Sequence, residues 1–155
     1  MKRLVLFALV FTVSWPVLAA DTITTGTLRL RTTVTVFPGL AVETFSFLSN
    51  ASGVITATLE NIRGTIRRVS IKPDDDPLEP TDLFDMTLTD DMDVDVLTDS
   101  GANLTSGTTT TFAPKIADGH TSVSMTTFGD LDLAVSNAGA SKGMILRLYL
   151  DPEFR

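Results

Sequence analysis

Apolar and polar residues alternate one by one along most of this chain, the period of a half-buried β-strand and not of a helix. Between Thr27 and Val36, Leu28, Leu30, Val34 and Val36 share one face, and Arg29, Arg31, Thr33 and Thr35 share the other. The run 42–48 sets Glu43, Phe45 and Phe47 together, and 53–59 aligns Ile55, Ala57 and Leu59. Residues 62–71 are rich in β-formers but alternate less cleanly. Phe84, Met86 and Leu88 alternate with Asp85, Thr87 and Thr89, and Val94 and Val96 alternate with Asp93 and Asp95. Val123 and Met125 follow, then Leu131, Leu133 and Val135, then Met144, Leu146, Leu148 and Leu150. One apolar and one polar face per segment is the pattern of antiparallel strands with one side on a core.

Turn-forming residues separate these runs at Pro38-Gly39, Ser49-Asn50, Ser100-Gly101, Ala117-Asp118-Gly119, Phe128-Gly129 and Asn137-Ala138-Gly139. The segment from Lys72 to Pro80 holds three prolines, which a central strand cannot accommodate, so 73–80 is expected as the longest loop. About nine short strands at this spacing predict an all-β fold, a single antiparallel β-sandwich of Greek-key or jelly-roll type. Thr runs such as Thr108 to Thr111 support that class, because a β-branched side chain suits a pleated surface. The 155 residues are enough for one domain with its own core, expected over 21–155.

The first twenty residues read differently. Met1-Lys2-Arg3 is a basic start, Leu4 to Val13 is an almost unbroken apolar run, and Val17-Leu18-Ala19-Ala20 offers small residues before Asp21. That order is a secretory signal's, with cleavage after Ala19 or Ala20, and the alternative is an uncleaved apolar leader. The run is shorter than the roughly 20 residues a membrane-spanning helix needs, so no stable span is expected once the leader is removed.

Charge narrows the partners. The chain carries a formal charge of -7, and removing Lys2 and Arg3 leaves 10 basic against 19 acidic residues, or -9. Such a surface is repelled by phosphate backbones, so nucleic acid is not expected as a partner. Arg63, Arg67 and Arg68 form a local basic patch with no aromatic residues among them.

Candidate chemistry is sparse. Without cysteine there is no disulfide, thiolate nucleophile or Cys-ligated metal. His120, in Asp118-Gly119-His120, is the sole histidine and reads as a turn residue entering a strand, so no His-based triad is expected. Asp91, Asp93 and Asp95 are calcium candidates, since calcium asks only for clustered oxygens. They miss the EF-hand pattern: with Asp91 first, Val96 occupies the glycine position and Ala102 the final glutamate position. In an extended chain these carboxylates also stand roughly 6.5–7 Å apart and diverge from one ion. A solvated turn and strand edge is the simpler reading. The sequons at Asn50 and Asn103 read as loop residues. No catalytic constellation and no cofactor site is identified, and a non-enzymatic module is expected.

From Phe84 the chain resembles a group of small proteins of tailed bacteriophages. The resemblance lies in Phe84-Asp85-Met86-Thr87-Leu88-Thr89-Asp90, Val94-Asp95-Val96-Leu97 and Gly101-Ala102-Asn103-Leu104. Leu131 to Val135, Asn137-Ala138-Gly139 and Met144 to Leu150 continue it, and Gly64 to Val69 with Pro77 to Thr81 precede it. It covers residues 62–150, with Asp-Met-Asp where the group usually shows an Asp-Gly turn. The resemblance implies a virion structural protein, a capsid-decoration or tail-associated subunit, that acts by assembly with itself or other virion proteins. Homo-oligomers are expected. The leader departs from that group and supports an alternative: a periplasmic or secreted β-sandwich adhesion or binding module of a bacterial envelope.

Overall fold

The computed structural model describes residues 21–37, 39–114 and 125–151. The leader, His120 and Val123 lie outside them. The described residues form an all-β fold of eight strands in one antiparallel sheet: β1 (Thr22–Thr25), β2 (Thr27–Phe37), β3 (Leu40–Leu48), β4 (Ile55–Pro73), β5 (Asp85–Thr89), β6 (Thr110–Phe112), β7 (Met125–Ser136) and β8 (Gly143–Asp151). A 3-10 turn at Thr98–Gly101 is the helical element among them. No helix there is long and apolar enough to cross a membrane.

β4 organises the sheet. The order β2-β3-β8-β4-β7-β5 places β8 and β7 on opposite sides of it, with β1 and β6 pairing to its two ends. Its first part ladders with β1 and β7, and its last part with β8 and β6. Nineteen residues can serve both sets of neighbours because the strand is bulged twice, between Leu59 and Ile62 and between Ile66 and Arg68. Inward positions run 55, 57, 59, then 62, 64, 66, then 69, 71, 73, and Ser70, also buried, lies on the opposite face. Each three-residue step absorbs the extra residue of a bulge and returns the next apolar side chain to the core. This explains the imperfect alternation over 62–71.

A bulge frees backbone groups that must find other partners. At the first one, Glu60 N donates to Asp21 Oδ1 at 2.9 Å and Asn61 N, in the left-handed region at φ 57, donates to Asp130 Oδ1 at 2.9 Å. One carboxylate arrives from each side of β4.

Several boundaries differ from those the pattern suggests. The runs 53–59 and 62–71 are one strand, and β4 continues through Lys72 to Pro73 before the loop begins. Gly129, expected in a turn, pairs with Ile62 inside β7. Val94 to Val96 is a turn held by a single bridge between Thr89 and Asp95, not a strand. β1 and β6, which have too few residues to show a period, are ladder partners of β4.

The largest difference is β2. A bulge between Leu28 and Leu30 reverses its faces: Leu28 packs on the core, whereas Leu30 and Val34 are 53% and 56% exposed. Arg31 turns inward over the ring of Phe45. Gly26, at φ +86, lets the chain pass from the edge of β4 to the edge of β3, where a Cβ would meet Leu48 O at 2.8 Å.

The inward residues of both parts of the sheet form one buried cluster, from Phe45 and Phe47 through Ile55, Ile66, Leu131 and Leu146. Burying each of these side chains contributes about 1.5–3 kcal/mol. Among the described residues no buried side-chain nitrogen or oxygen lacks a hydrogen-bond partner.

Candidate functional site

Three regions gather most of the charged and exposed apolar groups among the described residues. The first is the acidic segment after β5. Asp90 Oδ1 accepts hydrogen bonds from Met92 N at 3.0 Å and Val94 N at 2.8 Å, closing an Asx turn. Asp95 Oδ1 accepts from Leu97 N at 3.0 Å and Leu88 N at 3.2 Å, and Val96 N donates to Leu88 O at 2.7 Å. Further along, Leu104 N donates to Phe84 O at 2.8 Å. Residues 94–104 therefore cover the outer edge of β5. Gly101 lies so close to the Met86 carbonyl that no Cβ fits between them.

A cleft of about 620 Å³ opens beside this cover, and Asp85, Asp93, Asp95 and Asp99 line it. Asp93 and Asp95 of the calcium candidates are thus brought to one cleft, whereas Asp91 lies near Gly129, with Oδ2 3.8 Å from where a Cβ would stand there. Asp95 and Asp85 use their carboxylates on the fold itself, Asp85 accepting from Asn103 N and Asn137 Nδ2 at 2.9 and 3.1 Å. Among the described residues no group of three or more His, Cys, Asp or Glu side chains is placed to hold a metal ion. Asp74 of the other acidic loop is engaged elsewhere, 2.7 Å from Arg29.

The second region is an inward-facing charge cluster at the end of the core. Arg31 donates to Asp21 Oδ1 at 2.6 Å and to Glu43 Oε2 at 2.8 Å, and also to the Glu60 carbonyl at 3.0 Å. The Asp21 side chain is only 3% exposed, Glu43's 11% and Arg31's 19%. Burial holds the Glu43 carboxyl above its ordinary value of 4.5, with Arg31 opposing that rise and Asp21 adding to it. This cluster ties β1, β2, β3 and the β4 bulge together. Glu43 was legible as a face-mate of Phe45 and Phe47, and an acid on a core face demands a cation. Which arginine answers is decided by the β2 bulge.

The third region is the outer surface of the sheet. Across β2-β3-β8-β4, Val34, Val42, Tyr149 and Arg68 form one row, and the Arg68 guanidinium lies 3.7 Å from the centre of the Tyr149 ring. Thr32, Thr44, Arg147 and Ser70 form the next, and Leu30, Ser46, Ile145 and Lys72 the third. Among the described residues neither Arg68 nor Arg147 has a carboxylate within ion-pair distance. Beyond this face β2, 11 residues long, ends the sheet order, and among the described residues its outer edge is unpaired.

The outer surface of the other part of the sheet is of opposite character. Thr87, Ala134, Thr56 and Thr25 form one row; Thr89, Asp132, Thr58 and Thr22 form the next. Thr58 donates to Asp132 Oδ1 at 2.7 Å, and Thr22 to Glu60 Oε1 at 3.0 Å. These two rows hold no base, and Arg63 stands further along the same ladder, opposite Phe128.

No protein-family model, no curated protein and no solved structure matches this chain.

Proposed function

We propose that this protein is a non-enzymatic structural subunit of a tailed-phage particle, a capsid-decoration or tail-associated protein that acts by assembly. The observation that carries the reading is the 11-residue edge of β2, unpaired among the described residues and flanked by outward-facing Leu30 and Val34. Sheet edges are commonly blunted by short strands, lysines, bulges, inward-pointing charges or a covering segment. Here β1 and β6 are short and β5 is covered, whereas β2, although bulged between Leu28 and Leu30 and carrying the inward-turned Arg31, is long and keeps regular register from Leu30 to Thr35. Backbone donors and acceptors on such an edge accept an added strand, and flanking apolar side chains add contact area. The resemblance over residues 62–150 supports the same reading. The interleaved strand order and the shared core favour a Greek-key sandwich over 21–155, with the sheet folded across β4.

The test is sedimentation of the recombinant protein with purified phage particles. Wild type should co-sediment, and Leu30→Lys/Val34→Lys, which changes only exposed positions, should remain folded and stay in the supernatant. A strictly monomeric wild type that ignores particles, or a variant that binds like wild type, would overturn the reading.

A second reading, an exported envelope adhesion or binding module, is favoured by the leader pattern of residues 1–20. Intact mass from the native source separates the two. A chain beginning at Ala20 or Asp21 in a periplasmic fraction supports export, and a chain found in particles supports the virion subunit.

A further inference from the structure

We propose that the basic outer face around Tyr149 docks on the acidic outer face around Asp132 of a second copy of this chain, head to tail. The inference deepens the assembly reading and rests on it for where such an array forms. Three observations carry it. Among the described residues Arg68 and Arg147 have no carboxylate partner, on one outer face of a chain whose net charge is -7. Asp132, and Glu60 beside Thr22, stand on the other outer face, where the two rows around Asp132 hold threonine, alanine and no base. The inward residues of both parts of the sheet share one buried cluster, so the two outer faces point away from it in different directions and cannot neutralise each other within one molecule.

The chemistry of the two faces is complementary. The basic face has apolar side chains in Val42, Tyr149 and Ile145, half-buried in the free chain, with Arg147 between Tyr149 and Ile145 along β8. The guanidinium stacked on Tyr149 is pre-positioned with its donors at the surface, which lowers the entropy lost when a carboxylate arrives. The acidic face presents threonine methyl and hydroxyl groups around Asp132, able to meet both the apolar side chains and the cations. A contact between two different faces of the same chain is heterologous, so it closes into a ring or continues as a filament, and does not stop at a two-fold dimer.

Charge reversal tests this by sedimentation velocity of the full-length protein over a concentration series at low salt. Wild type should associate beyond a dimer, and should dissociate as salt screens the faces. Arg68→Glu/Arg147→Glu and Glu60→Lys/Asp132→Lys should each weaken self-association roughly tenfold or more, because each places like charges opposite one another. Mixing the two variants restores complementarity at every contact and should return association to the wild-type range as an alternating array. That recovery also shows both variants to be folded.

Monomeric wild type at all concentrations, association that stops at a dimer, or two folded variants that do not recover on mixing would each overturn the proposal. Co-sedimentation with particles by a protein that does not self-associate sinks this inference and leaves the virion reading standing. Head-to-tail arrays by a protein that ignores particles does the reverse.

Discussion

Replacing Arg31 by methionine keeps the aliphatic stem over Phe45 and removes the charge that Asp21 and Glu43 share. Both carboxylates stay where they are, since their strands are held by ladders that Arg31 does not make. Taking one partner from a buried ion pair costs about 3–5 kcal/mol. Arg31 is 19% exposed, so water reaches the site in part and the lower end, about 3 kcal/mol, is expected. That is a large share of the roughly 5–15 kcal/mol by which a domain is stable.

The loss should depend on pH in a definite direction. Glu43 already has a folded-state pKa above its ordinary 4.5, and removing Arg31 takes away the influence that opposes the rise. A carboxyl raised on folding contributes stability that is fully present below the unfolded value and is lost as pH rises through the folded value. The variant should therefore lie closest to wild type near pH 4 and fall furthest behind at pH 7. Urea unfolding at several pH values reads this directly. Adding Glu43→Gln to the variant should recover about 1 kcal/mol or more at pH 7, because one of the two stranded charges is gone. A loss below about 1 kcal/mol at pH 7, or one that does not change with pH, would refute the claim that the cluster closes the core by charge pairing.

Other substitutions test the remaining structure. Gly101→Ala inserts a Cβ against the Met86 carbonyl and should cost about 1–3 kcal/mol, with faster amide exchange in residues 94–104 as the cover lifts from β5. Asp95→Ala strands the Leu88 and Leu97 amides and should cost about 1–3 kcal/mol, whereas Asp95→Asn keeps an acceptor oxygen and should cost less. Asp93→Gly should be neutral or mildly stabilising in thermal melts, because Asp93 sits at φ 60, where glycine is at ease. Phe47→Ala, at a position with no solvent exposure, should cost about 3–5 kcal/mol and set the scale for the core.

How far the sequence reaches is clearest strand by strand. In β3, β5, β8 and the second half of β7, alternation alone identified the residues that share the core: Phe45 with Phe47, Met86 with Leu88, Leu131 with Leu133, Leu146 with Leu148. A side-chain period of two is a property of the extended backbone itself, so a regular strand records it locally. The Asn137-Ala138-Gly139 turn was legible for the same reason, since Asn137 and Gly139 hold positive φ values of 61° and 82° that those residue types tolerate.

Tertiary structure decided the rest. Alternation says which residues travel together and not which face is covered, and a one-residue shift exchanges the two faces. The bulge at Leu28 to Leu30 is such a shift. It turned Leu30 and Val34 out and Arg31 in, and only the ladder with β3 shows it. The joining of two runs into β4, the partners of the short strands β1 and β6, and the convergence of Asp21, Arg31 and Glu43 are contacts between distant residues. So is the separation of Arg68 and Arg147 from Asp132 onto different faces. A single sequence carries such contacts only as composition, because what places the groups together or apart is the order and register in which strands far apart in the chain pair.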